Sequence, residues 1–208
     1  MDPNSIVHVV DDDDSFRRAV GALLGASGYE VALFASAREF LERLSPASKG
    51  CILLDVQMPG LSGLELQSRL NAAECPMPII FLSGHADIPI TVRTMKAGAE
   101  DFLCKPVPRE DLLRAIQDAL AKDVVRQQQR EQLRTLQSLV ATLTPRENEV
   151  FGLIARGRLN KQIAYDLGTS ERTIKAHRHA VMEKLKARSL AELVLMAERL
   201  GSVRPAAN

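Results

Sequence analysis

Along the first half of the chain, short apolar runs alternate with stretches in which apolar positions recur every three or four residues. Ile6-Val7-His8-Val9-Val10, Tyr29 to Phe34, Cys51-Ile52-Leu53-Leu54, Ile79-Ile80-Phe81-Leu82 and Asp101-Phe102-Leu103-Cys104 have the length and apolar character of buried strands. Between them, Ser15 to Ala26 carries Phe16, Val20, Leu23 and Leu24 at helical spacing. Ala37 to Leu44, Gly63 to Leu70 and Ile88 to Ala97 are helical in the same way, and Gly28 and Gly98 supply stops. Such alternation predicts a parallel sheet covered by helices on both faces, and right-handed crossovers leave few topologies. Five units suit an α/β flavodoxin-like, doubly wound five-stranded parallel sheet.

From Arg109 no Gly or Pro interrupts the chain until Pro145. Leu113, Ile116, Leu120 and Val124 keep helical spacing, Arg126 to Gln132 is entirely polar, and apolar spacing returns at Leu133, Leu136, Val140 and Leu143. The pattern predicts a long helix, or two nearly continuous ones, linking a domain at 1–122 through 123–141 to a second domain at 142–208. A solvated connector and a dimer-forming coiled coil both fit, although two short patches fall below the three or four heptads of a convincing coiled coil. Four short helices should follow. Thr144-Pro145-Arg146-Glu147 is a capping box with Pro at the first helical position. Asn160 can cap the second helix, Ser170 the third, and Ser189-Leu190-Ala191-Glu192 is a second capping box opening the fourth. The tail after Gly201 is expected to fray.

Charge sharpens this division. The net charge of the 208 residues is only +1. Residues 1–124 hold 12 Lys/Arg against 18 Asp/Glu, a balance of −6, whereas residues 125–208 hold 15 against 8, a balance of +7. An acidic half suits a cation or a basic protein, and a basic half suits nucleic acid. Cys51, Cys75 and Cys104 lack metal-site spacing, and Cys51 and Cys104 sit in apolar runs, which reads as reduced thiols in a cytoplasm. No signal peptide is apparent and no apolar run reaches the roughly 18 residues of a membrane span, so a cytoplasmic protein without membrane contact is expected.

In a doubly wound sheet, ligands bind beyond the carboxyl ends of the strands. Those ends carry Asp11 and Asp12, Asp55, Ser83 and Lys105. Converging carboxylates raise one another's pKa unless a cation neutralises them, and hard oxygen donors favour Mg²⁺ (or Mn²⁺). A carboxylate can also accept a phosphoryl group, whose developing charge a metal and an ammonium would offset. Asp13 and Asp14 are read as capping the following helix and complementing its dipole.

Val9-Val10-Asp11-Asp12, Leu53-Leu54-Asp55 with Met58-Pro59-Gly60, Ser83-Gly84-His85 and Phe102-Leu103-Cys104-Lys105-Pro106 resemble the receiver domain of response regulators, the CheY-like fold, over about residues 5–122. The resemblance implies that Asp55 accepts a phosphoryl group from a phosphohistidine of a sensor histidine kinase. It implies that Asp12, Asp55 and the backbone carbonyl of Gln57 ligate Mg²⁺, with Asp11 acting mostly through water. Lys105 would pair with the phosphoryl oxygen, Ser83 would move to hydrogen-bond it, and Phe102 would turn inward to fill the vacated space. Ser83 stands where Thr is commoner in the family, and Phe102 lacks the hydroxyl of the commoner Tyr.

In the basic half, Ala164, Gly168 and Ile174 fit the crossing, turn and anchor positions of a helix-turn-helix, with Thr169 and Ser170 following the turn. At about 100° per residue from Ile174, Val181 and Leu185 fall beside it, while Arg172, Lys175, Ala176, His179, Glu183 and Lys186 fall opposite. That outer face is what a recognition helix presents to a major groove. Arg178 and Lys161 are candidate phosphate contacts, and His177 reads as packing. Leu143-Thr144-Pro145-Arg146-Glu147, Asn160-Lys161-Gln162-Ile163-Ala164 and Thr173-Ile174-Lys175-Ala176-His177 resemble the LuxR-type helix-turn-helix over about 142–201. Receiver plus this module is similar to the NarL/FixJ class, and Gly84-His85-Ala86-Asp87-Ile88-Pro89 with His177-Arg178-His179 leans toward the FixJ subgroup. The resemblance implies a regulator rather than an enzyme. It would dimerise on phosphorylation and place Lys175, Ala176 and His179 on base edges of promoter DNA, with RNA polymerase a further candidate partner. Two alternatives compete. One is a receiver whose helical module binds protein or RNA. The other is a haloacid-dehalogenase-like phosphatase, which would need a further acidic pair at a strand end, where this chain has Glu110-Asp111 in a helical stretch.

Overall fold

The computed structural model describes residues 6–45, 48–84 and 88–201. The chain divides into two compact units between Gln127 and Gln128. In the first, β1 (Ile6–Val10), α1 (Asp14–Ala26), β2 (Glu30–Phe34), α2 (Ala37–Arg43), β3 (Gly50–Asp55), α3 (Gly63–Ala72), β4 (Ile79–Ser83), α4 (Ile88–Lys96) and β5 (Asp101–Cys104) alternate as the hydrophobic pattern predicts. The sheet is wholly parallel in the order β2-β1-β3-β4-β5.

The strands read as continuous apolar runs because both sheet faces are covered. Successive residues of one strand enter opposite cores. Val7, Val9, Cys51, Leu53, Ile80 and Leu82 pack with Val20 and Leu24 of α1. Val10, Ile52, Leu54, Ile79 and Phe81 pack with Phe40 of α2 and Leu66 and Leu70 of α3. His8 occupies a core position on this second side, edge-on to Phe40, with its Nε2 on the Lys49 carbonyl at 3.2 Å. Its burial holds the imidazole pKa below the usual value, so it is a neutral core residue. All three cysteines are free thiols. Of the two placed by sequence in apolar runs only Cys51 is buried, its thiol pushed up to about 12 by burial, while Cys104 emerges exposed at the end of β5.

Helix α5 (Arg109–Val140) runs unbroken through the polar stretch. One helix is therefore present rather than two. Leu112, Ala115, Ile116 and Ala119 bury in the first unit, whereas Leu139 and Val140 pack in the second. There α6 (Pro145–Ala155), α7 (Asn160–Asp166), α8 (Glu171–Lys184) and α9 (Leu190–Arg199) enclose Val150, Ile154, Ile163, Ile174, Val181, Leu185 and Leu193.

The caps match the sequence reading in part. Thr144 and Glu147 form the full box, and Ser170 caps α8 through the Thr173 N–H. Asn160 does not cap α7. The cap position is Leu159, whose N–H donates to Gln162 Oε1 at 3.0 Å, and Asn160 is already helical, which frees its side chain for another partner. Ser189 caps α9, but Glu192 turns back to the Arg188 N–H rather than to Ser189, so that box is half closed. The expected fraying after Gly201 and the His85-Ala86-Asp87 motif lie outside the described residues. Among the described residues no helix is long and apolar enough to cross a membrane.

Candidate functional site

Parallel register builds the first site. Val10 pairs with Leu54, so Asp11 and Asp55 emerge side by side from β1 and β3, where the strand order reverses. Ser83 pairs with Cys104, so Ser83 and the following Lys105 reach the same sheet edge. Asp11 is wholly buried, Asp55 and Ser83 are nearly so, and Asp12 is exposed. Carboxylate oxygens of Asp11, Asp12 and Asp55 all lie within 4.8 Å of one another. Lys105 Nζ lies 2.5 Å from Asp11 Oδ2, 3.3 Å from Asp55 Oδ2 and 4.1 Å from the centroid of the Phe16 ring. Burial pushes the Asp55 carboxyl above the usual carboxylate range; the Lys105 ammonium pulls it back and the Asp11 charge adds to the rise.

The loop after β1 is held by its own acids. Asp11 Oδ1 accepts the Asp13 N–H at 3.0 Å. Asp13 caps α1 by accepting from Ser15 and Phe16, and Asp14 pairs with Arg17 and Arg18. The Arg17 guanidinium also donates to the Asp11 carbonyl at 2.7 Å. The loop after β3 is fixed by close packing: the Gly63 N–H donates to the Val56 carbonyl at 3.1 Å, and a Cβ on Gly63 would stand 2.2 Å from the Asp55 carbonyl oxygen. Gly63→Ala should therefore displace the Asp55 loop, destabilising this unit by about 1–3 kcal/mol. Urea unfolding checks this, and an unchanged midpoint would show that the loop yields freely.

The donor set fits a hard divalent cation. Three carboxylates converge and Lys105 offsets part of their charge, which leaves a net negative oxygen cluster of the kind that takes Mg²⁺ with several waters. Gln57 is exposed beside it, its N–H 3.4 Å from Asp55 Oδ1. Phe102 is half-buried and stacked on Phe81 at 6.4 Å. Glu110 and Asp111 lie in the first turn of α5, with Asp111 paired to Arg114, and so do not complete a phosphatase-type acid set at a strand end.

The second site lies on α8. Ile174, Val181 and Leu185 are wholly buried, and Arg172, Lys175, Ala176, His179 and Glu183 are exposed. Gly168, at φ +60°, ends α7 in a left-handed turn whose N–H donates to the Tyr165 carbonyl, and the Thr169 N–H reaches back to Ala164. Ala164 is buried at the crossing. Lys161 and Ser170 are exposed, and Thr169 is half-buried.

The family model of the response regulator receiver domain matches residues 7–117, and that of the bacterial regulatory proteins, luxR family, matches residues 141–197. Nodulation protein W of Bradyrhizobium diazoefficiens is 48% identical over 197 residues, 95% of this chain and 87% of that protein. Transcriptional regulatory protein FixJ of Azorhizobium caulinodans is 43% identical over 205 residues, 98% of this chain and 97% of that protein. Among solved structures, the response regulator StyR is 48% identical with a TM-score of 0.81, covering 94% of this chain and 99% of that one. The chain is a response regulator. It belongs to the NarL/FixJ class, with a receiver and a LuxR-type helix-turn-helix on one chain.

One residue of the response regulator's helical unit departs from the sequence reading, and a second takes a partner that reading did not include. Lys186 was placed on the outer face of the recognition helix, but α8 ends at Lys184 and Lys186 adopts φ +54° beyond it, closing the helix by donating to the Glu183 carbonyl. Arg178, a candidate phosphate contact, donates through one guanidinium nitrogen to Asn160 Oδ1 at 2.7 Å and so ties α8 to α7. Other residues carry structure that periodicity does not reveal. Buried Glu147 takes Lys184 Nζ at 2.6 Å, and this ammonium with the Thr144 N–H holds its carboxyl below the usual range. Gln67, buried on α3, donates to the Thr94 carbonyl of α4 at 3.1 Å. The sequence marks Phe16 only as part of the buried stripe of α1 and does not single out Arg17.

Proposed function

We propose that this response regulator accepts a phosphoryl group on Asp55 from a phosphohistidine of a sensor histidine kinase. One Asp55 carboxylate oxygen forms the new P–O bond, the P–N bond breaks, and its electron pair returns to the kinase imidazole. The observation that carries this reading is the nearly buried Asp55 carboxylate, held among Asp11, Asp12 and the Lys105 ammonium at the strand-order reversal. Asp12, Asp55 and the Gln57 carbonyl would hold Mg²⁺, with Asp11 acting through water. Bound there, the metal supplies positive charge against the transferring phosphoryl group. Lys105 turns from Asp55 to a phosphoryl oxygen, the Ser83 hydroxyl donates to another, and Phe102 moves toward the space Ser83 leaves. This is a local charge change biasing a two-state element.

Phosphorylation then favours a dimer, and two copies of α8 enter major grooves of promoter DNA at half-sites about 34 Å apart. Lys175, Ala176 and His179 approach base edges, while Arg172, Lys161, Thr169 and Ser170 contact backbone or flanking groups. Arg178 holds α7 against α8 through Asn160 and offers its remaining N–H donors to a backbone phosphate. The exposed basic face opposite a wholly buried apolar one supports a polyanionic ligand over a protein, and the match to the luxR family supports DNA over RNA; affinity should fall steeply with salt as counterions are released. Transcription activation, contact with RNA polymerase and a cytoplasmic location complete the reading.

The experiment is intact mass after incubation with Mg²⁺ and acetyl phosphate. Wild type should gain one phosphoryl group, lost in Asp55→Asn and in chelator. Equal gain in Asp55→Asn would move the acceptor elsewhere.

A further inference from the structure

We infer that Phe16 is a positioning residue for phosphoryl transfer, because its ring holds the Lys105 ammonium where the phosphoryl oxygens arrive. The inference rests on the phosphoacceptor reading of Asp55. Lys105 Nζ meets three groups: Asp11 Oδ2 at 2.5 Å, Asp55 Oδ2 at 3.3 Å and the Phe16 ring centroid at 4.1 Å. The shorter ion pair favours Asp11, which is wholly buried and is not the acceptor. Holding a long, flexible lysine side chain at that carboxylate while it also reaches Asp55 costs rotamer freedom. An aromatic face attracts a cation through its quadrupole and offers no competing hydrogen-bond acceptor. The ring therefore adds a third attraction that restrains Nζ at the point where it meets both Asp11 and Asp55.

The position of Phe16 in the chain explains why it can do this. It lies in the first turn of α1, and its N–H is held by the Asp13 cap, so the ring is anchored to the same loop that carries Asp11 and Asp12. It is only partly buried against the core that α1 and α5 share with the sheet, which leaves part of its surface for Lys105. Two adjoining side chains of α1 thus serve the site. Phe16 faces the ammonium, and Arg17 ties down the Asp11 carbonyl at 2.7 Å.

A purely packing role makes a different prediction, since packing depends on ring shape and cation attraction on ring electrons. The test uses the full chain with Phe16 replaced by 4-fluoro-, 3,5-difluoro- and 3,4,5-trifluorophenylalanine, which keep the shape and progressively weaken the quadrupole. The rate of phosphoryl gain from acetyl phosphate in Mg²⁺ is read by intact mass. In that reaction the P–O bond to acetate breaks, acetate leaves with the electron pair, and the Asp55 mixed anhydride forms. The rate should fall stepwise along the series and by about three- to tenfold in Phe16→Leu, with Phe16→Tyr close to wild type. A flat fluorination series would overturn the inference whether or not Phe16→Leu is slow, because packing alone would then account for Phe16. A second reading needs no phosphorylation: the Lys105 ε-methylene protons should be shifted upfield by the ring in wild type and return in Phe16→Leu. An unshifted signal in wild type overturns the contact itself. If wild type gains no phosphoryl group, the reading of Asp55 falls, and the upfield shift still decides whether Phe16 holds Lys105.

Discussion

Replacing Lys105 with methionine is expected to destabilise the receiver domain by about 3 kcal/mol in chelator, and Mg²⁺ should restore most of the loss. Removing one member of a buried ion pair leaves its partner uncompensated, which costs roughly 3–5 kcal/mol when water is fully excluded. Here Asp11 is wholly buried, Asp55 nearly so, and the Lys105 side chain 17% exposed, which argues for the lower end. For a domain of this size the loss corresponds to a fall in Tm of roughly 10 °C. A cation bound at 100 times its dissociation constant returns about 2.7 kcal/mol. Melting of wild type and Lys105→Met in EDTA and in MgCl₂ provides the four values needed. A variant within 2 °C of wild type in EDTA would mean that Lys105 is not what neutralises the pair. No shift with Mg²⁺ in either protein would remove the acidic cluster as a metal site.

The same geometry fixes the sign for Asp55. Its carboxyl is raised in the folded state, chiefly by burial, so its proton is bound more tightly folded than unfolded. The stability it contributes is present below the ordinary carboxylate range and is lost as pH rises through the folded value. The ionised group therefore opposes folding, and the Asp55→Asn protein of the phosphorylation experiment should melt above wild type in chelator.

The second large effect concerns α8. Ala176→Glu should reduce affinity for a selected DNA duplex by roughly 100-fold or more while leaving the melting temperature nearly unchanged. Ala176 is exposed on the face that carries Arg172, Lys175 and His179, opposite wholly buried Ile174 and Val181. A methyl side chain lets the helix backbone approach a groove. A carboxylate there must instead be desolvated against phosphates and base acceptors, and such like-charge juxtaposition costs several kcal/mol. Glutamate is a good helix former, and an exposed substitution of this kind stays within about 0.5 kcal/mol of wild-type stability. Val181→Asp is the contrasting control, since it places a charge in the core and should unfold the helical unit. Fluorescence anisotropy on the selected duplex, with thermal melts beside it, separates the two effects. Undiminished affinity in Ala176→Glu would take α8 out of the groove. Lys161→Ala, at a proposed phosphate contact, should lower the salt slope by about one in log–log terms.

Much of this protein was legible before any tertiary information. Nine elements of the first unit, the long helix and the four that follow came from short apolar runs for the strands and a 3.6-residue period for the helices, because a parallel sheet buries both faces of a strand and packing buries one face of a helix. Strand-end acids could be read as one site because parallel strands all finish at the same edge of a doubly wound sheet. The apolar and polar faces of α8 followed from its period alone.

What the sequence could not determine is how long polar side chains choose among partners. Lys105 and Asp11 are 94 residues apart, and nothing local says that the ammonium lies closer to Asp11 than to Asp55, or against Phe16. Nothing local says that Arg178 also meets Asn160 of α7, and Asn160 was available only because the cap fell one residue earlier. Lys186 left the recognition face because α8 closes in a left-handed turn two residues before the period would have carried it there. Elements and faces depend on interactions across one or two turns, which the chain carries in its own order. Pairings depend on which charges and carbonyls remain unsatisfied once those elements have packed, and only the assembled tertiary structure sets those distances.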